Sequence, residues 1–295
     1  MQITEKIEGR QLTTIHMGGP LRQLIETDRD DELIEQVRNL RSRREPFILV
    51  GCGSNIVLPP KAEELTVLRF TGNAVSMTDS ETIQVESGCT IAGLMGWCHV
   101  HRHAGLEFLI GIPGTVGGAL AVNAGAFGES LGDRLLSAEI IDAEGQQKTW
   151  SAADFSFSYR SCRIKYGSEI VLRAKFRTKA STGREIGRRM RENILYRLGN
   201  HPVTEPSAGC FFKNPKPGKD GISAGKLIDQ CGLKGYRRGD LQVSSRHANF
   251  IVNLGRADLD ELAEFSRLIE SRVKAATGIV LEREVIWIDP QGHKF

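Results

Sequence analysis

The chemistry in this chain is most concentrated at Pro206-Ser207-Ala208-Gly209-Cys210-Phe211-Phe212-Lys213-Asn214-Pro215, where one thiol and one ammonium group stand among small residues, two aromatics and two prolines. That composition predicts a rigid loop at a reaction centre rather than a core strand. A thiol with an unperturbed pKa of about 8.5 keeps its proton at neutral pH yet releases it more readily than a hydroxyl, so Cys210 is suited to general-acid work. Glu284 lies in the apolar run Ile279-Val280-Leu281-Glu282-Arg283-Glu284-Val285-Ile286-Trp287-Ile288. Strand alternation would set it on one face with Ile286 and Ile288, where apolar neighbours raise a carboxyl pKa and keep a proton available. A buried salt bridge with an arginine would use that position equally well. Arg160 follows the alternating Phe155, Phe157 and Tyr159, and its planar fork suits a two-oxygen anion. A surface arginine at a strand end is the plainer reading.

Two glycine-rich segments suggest an anionic ligand. Gly51-Cys52-Gly53-Ser54-Asn55 and Gly111-Ile112-Pro113-Gly114-Thr115-Val116-Gly117-Gly118 both lack bulk where a backbone must turn sharply and aim N–H groups at an anion. Neither is a dinucleotide fingerprint of the Rossmann type, since Ile56 stands where the third glycine would fall. Gly221-Ile222-Ser223-Ala224-Gly225-Lys226-Leu227 is one residue too short for a phosphate-binding P-loop and has leucine where magnesium binding needs a hydroxyl.

The elements that must position these groups follow from periodicity. A helix over 31–40 with Leu33, Ile34, Val37 and Leu40 on one stripe precedes a strand over 46–50 that delivers the first glycine loop. A strand at 82–86, then a helix capped by Thr90 and running to about His103 with Gly105 at its end, leads to the second. Strands at 136–141 and 170–178 flank a turn at 143–145, a return toward Trp150 and the alternating aromatics. After the small-residue linker 180–183, helices are expected at 184–198, 223–231 and 257–276, with strands at 249–253 and 279–288. There is no internal repeat, heptad pattern or low-complexity tract.

The chain resembles, over nearly its whole length, the MurB family of reductases that make UDP-N-acetylmuramate for peptidoglycan. The resemblance rests on Thr13-Thr14-Ile15-His16-Met17-Gly18-Gly19, the Gly51–Asn55 segment, the stretch from Gly105 to Ala126, and Tyr159-Arg160-Ser161. It continues in the same order with the Cys210 segment, Ala224-Gly225-Lys226-Leu227-Ile228, His247-Ala248-Asn249-Phe250-Ile251-Val252-Asn253 and Leu281-Glu282-Arg283-Glu284-Val285. Such an ordered series is far more specific than any member of it. It implies an α+β flavoprotein: an FAD-binding fold of the vanillyl-alcohol-oxidase (PCMH) type with two subdomains over residues 1–182, split near 65, and a C-terminal α+β substrate domain over 183–295.

The function implied is NADPH-dependent, FAD-mediated reduction of UDP-N-acetylglucosamine enolpyruvate in peptidoglycan precursor synthesis. Non-covalent FAD is expected at Gly51, Cys52, Gly53, Ser54, Asn55, Gly111, Pro113, Gly114, Thr115, Gly118 and Asn123. By the same resemblance Cys210 protonates the substrate, Arg160 steadies the enolate formed from its carboxylate, and Glu284 rather than Glu282 lies near the reacting centre. Tyr159, Lys213, Asn214 and His247 are implied in holding the UDP-sugar, although a packed core role would suit His247 equally. Arg197 is placed to reach the diphosphate. Cys52, Cys210 and His201 depart from the glycine, serine and glutamine usual in the family. Two rivals therefore stand: an FAD oxidase of the same fold, and a catalytically silent flavin- or nucleotide-binding protein. Chain length places the protein with the shorter class of the family.

Composition agrees with a small anionic substrate. In 295 residues, 40% hydrophobic and 25% charged, the formal charge is +3, far from the concentrated field of a nucleic-acid binder. No apolar run approaches the roughly 18 residues of a membrane span, and the N-terminus lacks the basic-then-apolar order of a signal peptide. A cytoplasmic monomer with neither nucleic-acid nor membrane partners is expected. Six cysteines without C-x-x-C spacing argue for free thiols rather than disulfides or structural zinc. Cys98, His99, His101 and His103 crowd one helix end, yet no further ligand stands at metal spacing, so no metal is expected. The arginine-rich helix from Arg184 is expected to present a solvated face.

Overall fold

Residues 5–22 and 53–65 fold with the C-terminal third of the chain, an arrangement that local periodicity does not reveal. The computed structural model describes residues 1–218 and 221–295. By its contacts the chain divides into two compact units, the first Met1–Thr4, Gln23–Cys52 and Thr66–Arg197, the second Glu5–Arg22, Gly53–Leu65 and Leu198–Phe295. The linear division at 182/183 differs from this partition. Ile15, Met17 and Val57 bury themselves among Ala208, Phe211, Leu227 and Phe265, and the Asn253 side chain donates to the Ile15 carbonyl at 3.0 Å. Those contacts tie the early segments to the second unit.

In the first unit, helix α1 (Asp30–Ser42) buries Leu33, Val37 and Leu40, the stripe expected from their spacing, and begins with three acidic residues that complement the helix dipole. It packs with Ile25, Leu68 and Phe70 of a four-stranded sheet ordered Gln2–Glu5, Leu21–Thr27, Ala62–Phe70, Phe47–Leu49. A five-stranded antiparallel sheet follows, ordered Gln147–Ser151, Leu135–Ile141, Ile170–Arg177, Thr82–Glu86, Val75–Met77. Its apolar face is covered by helices α2 (Ile91–His101) and α3 (Val116–Ala121), so that Ile83, Val85, Leu94, Leu120 and Phe176 share one core. Thr90 caps α2 by accepting from the Gly93 N–H. The helix ends earlier than expected, at His101, with Arg102 in the left-handed region at φ +62. The backbone of His103–Ala104 pairs instead with Lys179–Ala180, and the buried His103 ring bonds Thr178 Oγ1. Helix α4 (Gly183–Asn200) carries exposed Arg188–Glu192 and Arg189–Glu185 pairs, the solvated face expected of it.

The second unit has an antiparallel sheet ordered Ser207–Cys210, Phe250–Asn253, Leu241–Val243, Arg237–Arg238. Helix α5 (Ala224–Gln230) starts from the Ser223 cap. Helix α6 (Leu259–Thr277) starts from a reciprocal Asp258–Glu261 capping box and stops at Gly278, φ +72. The strand expected over 279–288 contracts to Ile286–Trp287, paired in parallel with Ile56–Val57. The protein is α+β, with mainly antiparallel sheets and helices laid against them. Among the described residues no helix is long and apolar enough to cross a membrane.

Candidate active site

Cys210 ends the strand Ser207–Cys210, whose register against Phe250–Asn253 shifts between Ser207 and Cys210. Gly209 occupies that shift at φ +80, and a bulge of this kind re-aims the side chain that follows it. The expectation of a loop rather than a core strand fails because Ala208, Phe211 and Phe212 are all buried and anchor the segment in the sheet and core. The aromatics hold the thiol in place rather than face a ligand.

Residues 211–213 then pair with residues 282–284. The Glu284 N–H donates to the Phe211 carbonyl at 2.8 Å, the Lys213 N–H donates to the Glu282 carbonyl at 2.8 Å, and Phe212 faces Arg283. Glu284 is therefore opposite Phe211, one rung from Cys210, and both groups are half-buried. The alternation argument for Glu284 is corrected here. The strand is confined to Ile286–Trp287 and a bend at Val285 separates Glu284 from it, so alternation does not position Glu284, whose backbone is held by the ladder to the Cys210 segment. Lys213 and Glu282, directly opposite, form an ion pair. The Asn214 side-chain oxygen accepts from the Ala224 N–H at 3.1 Å, beside the Ser223 cap of α5.

Asn249 does more than sequence reasoning assigned it. Its carbonyl accepts from the Phe211 N–H at 2.7 Å, its Oδ1 accepts from the Phe212 N–H at 3.0 Å, and its Nδ2 donates to the Phe212 carbonyl at 2.7 Å. A buried amide with these three bonds fixes the residues directly after Cys210. The available signal was a polar residue opening an apolar strand, since such a residue needs a partner once buried. His247 packs edge-on against His201 and Phe250, each 5.2 Å between ring centroids, and its Nδ1 accepts from the Asn249 N–H at 3.2 Å. Burial, followed by the Lys234 charge, holds its pKa below that of a free imidazole, so it is neutral at pH 7.

Arg160 and Tyr159 lie in the first unit, on a tight turn rather than a strand end. Ala152–Phe155 is a short 3-10 helix, Ser156 has φ +48, and Ser158 and Ser161 exchange both backbone hydrogen bonds. Arg160 takes φ +55, is half-buried, and lies 5.8 Å over the exposed Tyr159 ring. Asn123, expected at the cofactor, has its amide engaged within the protein: Nδ2 donates to the Ser158 carbonyl and Oδ1 accepts from the Gly132 N–H, both at 2.9 Å.

The glycine loops are close-packed. A Cβ on Gly51 would lie 2.4 Å from Thr115 Oγ1, so Gly51 and Thr115 of the two segments meet. A Cβ on Gly111, φ +77, would lie 2.7 Å from Ile194 and 2.8 Å from the Arg197 stem. Arg197 is buried there, its guanidinium 5.8 Å from the Phe127 ring centroid. Gly114 has φ +142, another backbone that a side chain would strain. The first turn of α3 is already satisfied, with Val116 N–H on the Cys89 carbonyl, Gly117 N–H on the Ser87 carbonyl and Gly118 N–H on Thr115 Oγ1. Gly118 is thereby occupied with its own cap. The three crowded histidines are engaged separately, His99 with the Gly183 carbonyl, His101 with the Trp97 carbonyl and His103 with Thr178.

The chain is similar to known proteins over most of its length. A profile described as "UDP-N-acetylenolpyruvoylglucosamine reductase, C-terminal domain" matches residues 201–288, and one described as "FAD binding domain" matches residues 22–151. The "UDP-N-acetylenolpyruvoylglucosamine reductase" of Chlamydia felis is 37% identical over 274 residues, 92% of this chain and 90% of that protein. The chain belongs to the UDP-N-acetylenolpyruvoylglucosamine reductase family. A further relative, "UDP-N-acetylenolpyruvoylglucosamine reductase 2" of Symbiobacterium thermophilum, is 36% identical over 277 residues, 93% of this chain and 89% of that one. The crystal structure of the MurB reductase from Thermus caldophilus aligns with a TM-score of 0.81 at 32% identity, covering 97% of this chain and 99% of that one. Membership makes the protein an oxidoreductase with an FAD-binding domain, and the expectation of family and fold class holds. Within the UDP-N-acetylenolpyruvoylglucosamine reductase family this chain has cysteine at position 210, half-buried beside the Glu284 ladder.

Proposed function

We propose that the protein reduces UDP-N-acetylglucosamine enolpyruvate to UDP-N-acetylmuramate, with NADPH as reductant and non-covalently bound FAD. The observation that carries the reading is the 211–213 to 282–284 ladder, which holds the backbone of Glu284 against the residue that follows Cys210 within a chain of this family. The glycine segments fit a flavin nucleotide. At Gly51, Gly53, Gly111 and Gly114 the backbone makes close approaches or takes positive φ that a Cβ would block. With the α3 turn self-satisfied and the Ile112 N–H on the Leu109 carbonyl, the anion-binding N–H groups are assigned to the backbone of 51–55 and to Gly111 and Gly114 rather than to α3. When bound, FAD would supply the two-electron chemistry that links NADPH to the terminal carbon of the enolpyruvyl group.

The remaining chemistry belongs to side chains. Hydride addition pushes an electron pair into the carboxylate of the substrate as an enolate, and the Arg160 fork hydrogen-bonds both oxygens as their charge grows. Cys210 Sγ gives its proton to the carbon that bears the carboxylate, and the resulting thiolate regains a proton from water. Net addition is one hydride and one proton. Glu284 is assigned to hold or relay a proton at that carbon. Lys213, Asn214, Tyr159 and His247 are assigned to the UDP-sugar, Lys213 exchanging its Glu282 partner for phosphate oxygen. Arg197, on α4 with its stem against Gly111, is assigned to the diphosphate.

The test uses the purified protein under argon. Adding NADPH should bleach the yellow flavin band, and adding the enolpyruvyl substrate should restore it with formation of a product heavier by two hydrogens. A protein that bleaches only with another substrate and is restored by oxygen alone would be an oxidase. One that binds FAD but never bleaches would be the silent form, and either result overturns the proposal.

A further inference from the structure

The turn that carries Arg160 is held from two sides. Ser158 N–H donates to the Ser161 carbonyl at 2.9 Å and Ser161 N–H to the Ser158 carbonyl at 3.2 Å, so Tyr159 and Arg160 are its corners. Arg160, at φ +55, occupies the corner that turns of this kind usually give to glycine or asparagine. A long side chain persists there only where its surroundings over-determine the backbone. Two side chains do so. Asn123 Nδ2 donates to the Ser158 carbonyl at 2.9 Å, and Lys165 Nζ donates to the Arg160 carbonyl at 3.3 Å.

Lys165 is the unusual partner, because its side chain is only 1% exposed. Burying an ammonium is costly, and a methionine of similar length would fill the same space without that cost. Its Nζ meets the Arg160 carbonyl and lies over the face of Tyr166, 5.1 Å from the ring centroid. It sits at the end of the 3-10 turn Arg163–Lys165, five residues after Arg160, with its own N–H on the Cys162 carbonyl. We propose that Lys165 is a positioning residue for the reaction, its ammonium locking the Arg160 carbonyl and with it the left-handed turn from which the guanidinium meets the substrate carboxylate. The inference rests on the role given to Arg160 above.

The experiment compares Lys165→Met, Arg160→Lys and the double variant in their FAD-loaded forms. Lys165→Met should retain flavin, bleach with NADPH at the wild-type rate, and bind the enolpyruvyl substrate by calorimetry within about threefold of wild type. Its reoxidation by saturating substrate should slow by roughly 10- to 100-fold, the usual consequence of a misplaced catalytic group. In the Arg160→Lys background the same change should cost less than about threefold, because the fork that Lys165 aims is already gone. If wild type itself is not reoxidised by this substrate, the functional proposal fails. If wild type is reoxidised but Lys165→Met matches it, slows both half-reactions alike, or costs the same in both backgrounds, the positioning role is overturned. Should Lys165→Met not accumulate as folded protein, the same cycle on Lys165→Gln decides in its place.

Discussion

Replacing Gly53 by alanine would put a methyl carbon 1.9 Å from the Leu12 carbonyl oxygen and 2.9 Å from the Thr13 Cα. The gap to Leu12 must open by about 1.1 Å to reach the 3.0 Å floor of real Cβ contacts, and the obstacle is backbone rather than a flexible side-chain tip. Three costs add. Gly53 has φ +63, where a side chain costs about 1–2 kcal/mol. Overpacking costs about 1–3 kcal/mol, and loss of the Thr14 N–H bond to the Gly53 carbonyl about 1 kcal/mol. The sum, about 3–6 kcal/mol, is a large part of a typical stability of about 5–15 kcal/mol. At about 2–4 °C per kcal/mol it lowers the thermal midpoint by roughly 6–24 °C. Thermal unfolding followed by circular dichroism should show this loss in FAD-loaded and FAD-stripped protein alike, because the clash lies within the second unit and needs no ligand. A stripped Gly53→Ala protein that melts with stripped wild type, while the loaded forms differ, would refute the packing argument and leave Gly53 a purely cofactor-binding glycine.

Arg160→Lys keeps the charge but loses the fork, so the oxidative half-reaction should fall far more than NADPH bleaching; equal losses in stopped-flow traces would make Arg160 structural. Cys210→Ala should leave bleaching intact and slow product formation roughly 10²-fold, while Cys210→Ser stays active; an alanine variant as fast as wild type would move the proton source to water or Glu284. Burial pushes Cys89 up to about 11 and Cys98 up to about 12, and Cys162 is buried too, so these thiols should resist iodoacetamide while Cys210 reacts and bound substrate protects it, as peptide mass mapping can read. The depressed His247 pKa gives stability that is present above the free value of 6.5 and lost as pH falls through the folded pKa. His247→Gln should therefore flatten the fall of the thermal midpoint between about pH 7 and pH 5, and an unchanged slope would show that this imidazole does not carry the effect.

Local chemistry was legible wherever a short segment decides its own conformation. The stripe Leu33, Val37 and Leu40 needs only helical spacing, the Thr90 cap needs only a hydroxyl before an apolar run, and Gly51, Gly53 and Gly111 announce backbone that no side chain can share. Cys210, Arg160 and Glu284 were put forward through the ordered family resemblance, while the residue types alone left a surface arginine and a buried salt bridge equally open. What the sequence could not supply was who stands beside whom. Glu284 looked placed by alternation along its own strand, yet its position comes from pairing with residues about seventy places earlier, a long-range contact that a period-two pattern cannot encode. The same holds for the bulge at Gly209, the engagement of Asn123 with Ser158, the clamp of Asn249 on Phe212 and the buried Lys165 beneath Arg160. The last three are polar groups whose partners are chosen by burial. Once water is excluded, a donor or acceptor must find whatever the tertiary fold brings within reach, and that choice exists only in three dimensions.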